Sequence, residues 1–195
     1  NPNVLHEKNK TQFLSSNKSA LIIPHDKKCY WVESSYEFED KEMQIRTLEH
    51  YLKTNFAYQS FNNPQLSDID FILDNKITSK LGLMRIYSAC FNELDVKSEI
   101  VLTSNRYDNK FDKDFESYSF LEEEIFYISD FKKYLAPAAI FSRLGYIPAA
   151  WTNNYGLFIK PINLGDYESA LGKIKFIEPI PHQMNSDTFE VKISF

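Results

Sequence analysis

The chain is short of glycine, of cysteine and of positive charge, and each shortage closes off a class of function. Five glycines in 195 residues leave no Gly-rich loop to cradle a phosphate, and neither a P-loop nor a dinucleotide fingerprint occurs. Two cysteines, Cys29 and Cys90, cannot make a disulfide scaffold, and whether they pair or stay as thiols is open from sequence. Lys and Arg number 22 against 27 Asp and Glu, a net charge of -5, so nucleic acid is not expected as a partner. No apolar run approaches the roughly 18 residues of a membrane span.

Aromatics are what the chain has in quantity. With 16 Phe, 12 Tyr and 43% hydrophobic residues it is too apolar to be disordered. A chain of this length can bury about 70% of its unfolded surface and needs no staple.

The periodicity changes once along the chain. Residues 1–20 are polar and aperiodic, and "ALIIPHDKKCYWVES" reads as an edge strand and turn broken by Pro24. "EDKEMQIRTLEHYLKTNFAY" predicts a helix, with Ile45, Leu48, Leu52 and Phe56 on one face and acids at its N-terminal end. "NNPQLSDID" reads as a loop. Residues Ser79 to Leu94 are apolar on more than one face, the mark of a buried central helix. Strand patterns follow at "VKSEIVLTS", "EIFYIS", "YGLFIK", "GKIKFIE" and "TFEVKISF". Helices first and strands afterwards predict an α+β fold, with the Ser79–Leu94 helix packed against an antiparallel sheet.

Several groups invite a chemical reading. His25 and Cys29 make an HxxxC pair, but no second pair with ligand spacing exists, so no metal is expected. His6 and His182 have no such neighbours, and His50 falls on the polar flank of the first helix. Asp108, Asp112, Asp114 and Glu116 lack the spacing and the mid-loop glycine of a calcium loop and read as an exposed charged loop. Cys90 lies inside the most apolar helix, where burial makes a thiol inert.

Three spans in order resemble a known family. "IRTLEHYLKTNFAYQS", ending in Asn55 to Tyr58, is similar to the first helix of transglutaminase-like domains. "SKLGLMRIYSACFNELDVKSEIVLTSNR" resembles that family's central helix and following strand. "LEEEIFYISDFKKYLAPAA" resembles its Asn-His strand and Leu-Asp-Pro-Thr turn, and "RLGYIPAAWTNNYGLFIK" continues as in bacterial members. The resemblance covers about residues 38–162. It implies a cysteine-proteinase-like fold, in which a Cys at the head of the buried helix is the nucleophile, a His activates it and an Asp orients the His.

Aligned on those motifs, the nucleophile's place falls on Lys80, or on Ser79 with a slip of one. The His place falls on Glu123 and the Asp place on Ala136. The resemblance therefore implies a domain that has lost its catalytic triad. Ser79 with Glu123 cannot replace it, because a carboxylate of pKa near 4 is a poor base for an alcohol. A Lys80–Glu123 pair is expected in the former cleft, against the alternative that Glu122, Glu123 and Glu124 only decorate a sheet edge.

The reading that follows is a non-catalytic transglutaminase-like domain, a binding or architectural module for a protein, peptide or glycan, with no cofactor. Its organisation would be an N-terminal arm and edge strand (1–37), the transglutaminase-like domain (38–165) and a C-terminal strand pair (166–195) that could begin a following β domain. The start at Asn1 and the bacterial resemblance lead us to expect a piece of a longer periplasmic or secreted protein. Two alternatives remain open. One is a cysteine hydrolase or acyltransferase using Cys29 or Cys90 with His25, His50 or His182. The other is a carbohydrate- or peptide-binding domain using Trp31, Trp151, Tyr118 and Tyr155 as exposed aromatics.

Overall fold

The computed structural model of the chain describes residues 39–61, 63–114, 118–164 and 167–179. The edge strand expected at 20–34 and the strand expected at 188–195 lie outside them. Helix α1 (Lys41–Asn55) starts where Asp40 accepts a hydrogen bond from the Glu42 amide, and it buries Ile45, Leu48 and Leu52. The two-residue strands β1 (Ala57–Tyr58) and β2 (Ile77–Thr78) pair in parallel. Helix α3 (Lys80–Glu93) follows β2 directly, with Leu83, Met84, Ile86, Tyr87, Cys90 and Phe91 buried.

Five strands make the main sheet: β3 (Ser98–Thr103), β4 (Glu123–Ile128), β5 (Lys133–Leu135), β6 (Asn154–Leu164) and β7 (Tyr167–Ile177). Their order is β5-β4-β3-β6-β7 and every pairing is antiparallel. The fold is α+β with a central helix on an antiparallel sheet, as the order of periodicities predicts. Strand alternation divides the core into two. Ile100, Leu102, Phe126, Ile128, Leu135, Leu157 and Ile159 join α1 and α3 on one face. Val101, Ile125, Ala136, Phe158 and Ile177 form the other, which Ile147, Ala139 and Trp151 from the β5–β6 loop cover. Each fully buried Leu, Ile or Phe contributes roughly 1.5–3 kcal/mol.

Three details depart from the sequence expectation. "NNPQLSDID" holds a 3-10 turn (Pro64–Ser67) and leads into a short helix α2 (Ile69–Asn75) rather than a plain loop. Its capping was readable: Asn63 accepts from Gln65 N ahead of Pro64, and Asp68 accepts from Phe71 N. Second, β5 falls where only a turn was expected. Third, the boundary drawn at 165 separates β6 from β7, which pair residue by residue from Asn154↔Ile177 to Leu164↔Tyr167. Pro161 lies past Ile159, the last β6 residue with a partner in β3, so the ring meets one neighbouring strand instead of two.

Candidate functional site

The head of α3 is built around Ser79 and Gly82. Ser79 caps the helix, its hydroxyl accepting from Gly82 N at 3.1 Å. The same hydroxyl donates to the Leu66 carbonyl at 3.1 Å and lies 2.8 Å from Ser67 Oγ, while Ser79 N also donates to Leu66 O. With its proton and its lone pairs so engaged, Ser79 is a cap and not a poised nucleophile. The close approach requires glycine at 82: a Cβ there would stand 2.3 Å from Leu66 O and 2.4 Å from Thr78 Oγ1.

Lys80 is the first residue of α3, and β4 brings the acidic run to it. Its ammonium donates to the Glu122 carbonyl at 2.7 Å and sits 3.3 Å from Glu123 Oε2. Side-chain exposures of 30% and 26% make this a semi-solvated pair, worth about 0–1 kcal/mol. It therefore positions more than it stabilises. The three glutamates have three different roles. Glu122 is exposed and offers only its backbone; Glu123 supplies the ion pair. Glu124 has the strand parity of Phe126 and Ile128, the residues packed against the helices. Burial pushes the Glu124 carboxyl above its ordinary value, Lys80 opposes that, and Glu123 adds to it.

Ala136 does not join them. It is fully buried on the sheet's other face, with Ile125 and Val101. Pairing of Phe126 with Leu135 places Ala136 one residue on, beside Ile125, so alternation turns it away from α3. Lys80 and Glu123 are thus brought together, whereas Ala136 is a buried packing residue of the outer core, on the face whose parity Glu123 shares, and carries no group that could join the pair.

The other candidates disperse. Cys90 is fully buried, ten residues along α3 from Lys80, or roughly 15 Å at the helical rise. His50 is exposed on α1. His6, His25, Cys29, Trp31 and His182 lie outside the described residues, as does Glu116. Asp108 and Asp112 accept hydrogen bonds from Asn105 Nδ2 and Asp114 N, and Asp114 pairs with Lys113, all within their own loop. Among the described residues no group of three or more His, Cys, Asp and Glu could hold a metal ion. Tyr118, expected to be exposed, is buried. Trp151 packs over the outer core, and Tyr155 meets Phe176 edge-on at 5.3 Å, so these three are packing residues and not an open aromatic platform.

A charged pair that the sequence reading passed over is the most deeply buried one described. Glu49 and Lys53 of α1 meet at 2.7 Å with side chains 1% and 4% exposed. Burial pushes the Lys53 amine below its ordinary value, against the pull of Glu49. Positions 45, 48, 49, 52, 53 and 56 form one helical stripe, so the spacing carried the signal although the charges suggested solvent. No family model matches this chain, and neither a curated protein nor a solved structure does.

Proposed function

We propose that the chain is a non-catalytic transglutaminase-like domain, serving as a binding or architectural module for a protein, peptide or glycan ligand in a periplasmic or secreted protein. The resemblance supplies the family and the location. The observation that supports the loss of catalysis is the Lys80–Glu123 pair at the head of the buried helix, where the family would place a thiol and an imidazole. An ammonium whose protons are donated to a carboxylate and a carbonyl offers no lone pair and is no nucleophile. Ala136, an apolar residue of the outer core, offers no group for the orienting position.

The test is an assay of amine incorporation and peptide hydrolysis by the unmodified chain. No turnover is expected, because losing the nucleophile removes the covalent route. Turnover that survives Lys80→Ala and Ser79→Ala but is abolished by Cys29→Ala or Cys90→Ala, with unfolding unchanged, would establish a cysteine enzyme with its site elsewhere.

A further inference from the structure

At the tip of the loop between Ala136 and Trp151, Phe141 is 99% exposed and Ile140 52% exposed. Beneath this tip several backbone groups are held from within the protein. Lys53 Nζ, reaching up from α1, donates to the carbonyls of Ala139 at 3.0 Å and Ser142 at 2.8 Å. Glu49 Oε2 accepts from Leu144 N at 2.8 Å. Arg143 Nη1 donates to the carbonyls of Ile140 and Ser142, both at 2.7 Å. Ser142 N donates to Ala139 O, and Arg143 and Tyr146 exchange backbone bonds.

A loop standing in water needs little of this, since solvent satisfies its carbonyls and amides. A loop base held in this way needs fewer hydrogen bonds from whatever surface the tip approaches, while Ile140 N and Phe141 N at the tip itself stay within reach of water and headgroups. The charge pattern points the same way. In a chain of net charge -5, no Asp or Glu occurs between Asp130 and Asp166, a stretch that carries Lys132, Lys133 and Arg143. Of the acids on α1 that face the loop and its base, Glu42 is bound by Arg46 and Lys133, and Glu49 by Lys53. Arg143 and Tyr146 are exposed at the foot of the tip.

We propose that the Ile140–Phe141 tip inserts into the headgroup–acyl boundary of a bilayer containing anionic lipid, and so holds the domain peripherally on a membrane surface. Two apolar side chains give a weak, reversible anchor, and the cations below them add attraction to anionic headgroups. This inference does not depend on the loss of catalysis.

The test is co-sedimentation of the 195-residue chain with vesicles of phosphatidylcholine alone and of phosphatidylcholine mixed with phosphatidylglycerol. Binding is expected to the mixed vesicles, weaker to the neutral ones, and to fall as salt is raised. Phe141→Ser should lower the partition coefficient about tenfold or more without moving the thermal midpoint, because the side chain packs against nothing. Absence of sedimentation with either vesicle, or equal sedimentation of Phe141→Ser, would overturn the proposal. Self-association in sedimentation equilibrium that Phe141→Ser abolishes would overturn it too, by assigning the tip to a second copy of the chain.

Discussion

Gly82 shows how one missing side chain shapes the site. Alanine is ordinarily the better helix residue by about 1 kcal/mol, yet at this position its methyl would meet the backbone carbonyl of Leu66 at 2.3 Å. A carbonyl that already accepts from Ser79 N and Ser79 Oγ cannot swing aside without breaking the cap of α3. Overpacking of this kind costs about 1–3 kcal/mol or more, so it outweighs the gain in propensity. Gly82→Ala is expected to lower the urea midpoint at unchanged m-value, a net loss of about 1–2 kcal/mol. A midpoint equal to or above that of the parent would show that the Leu66 turn yields freely. Glu123 and Glu124 make a related point at the same scale, since neighbouring acids of one type end up as a surface partner and a half-buried carboxyl through strand alternation alone.

At the scale of elements, α1 acts as a clamp as well as a core helix. Its apolar stripe packs Ile45, Leu48 and Leu52 against the sheet, and Glu49 and Lys53 on the same stripe hold the backbone between Ala139 and Leu144. A buried ion pair is weak evidence of stability, but removing one partner strands the other without water. Lys53→Met is therefore expected to cost about 3–5 kcal/mol, and Glu49→Leu a similar amount. The double variant should cost less than the sum of the two by at least about 1 kcal/mol. Hydrogen exchange at the Ser142 and Leu144 amides should speed up in each variant. Additive costs in the double-mutant cycle would mean that the two charges act on the loop separately rather than as a pair.

For the molecule as a whole, the decisive feature is that β6 and β7 serve both faces of one sheet. Ile177 is fully buried in the outer core and Ile174 packs on the inner one, while Gly156 of β6 is needed because a Cβ there would lie 2.8 Å from Val101 Cγ1 and 3.0 Å from Ile177 Cδ1. Removing β7 would open both cores and leave β6 as an unpaired edge. A chain ending at Gly165 is therefore expected to lose the cooperative urea transition and to bind a hydrophobic dye at neutral pH. If that shortened chain unfolds with the parent's midpoint, residues 38–165 stand alone and the hairpin is an accessory.

The fold class, the central helix and four of the five strands of the main sheet were legible in the sequence because they depend on hydrophobic period, a property each segment carries by itself. The 3-10 turn was legible in its cap, Asn63–Pro64, and helix α2 in its cap, Asp68, but an apolar face only two turns long gives no clear helical period. The meeting of Lys80 with Glu123 was expected only through the family resemblance, since a contact between a helix head and a strand 43 residues on is not a property of either segment alone. The place of Ala136 could not be expected, because which face a residue takes depends on the register of β5 against β4, and pairing register is a contact between distant segments. The burial of Glu49 and Lys53 was likewise decided only in three dimensions. An i, i+4 pair reads as solvated until another segment closes over it, and here that segment lies more than eighty residues away.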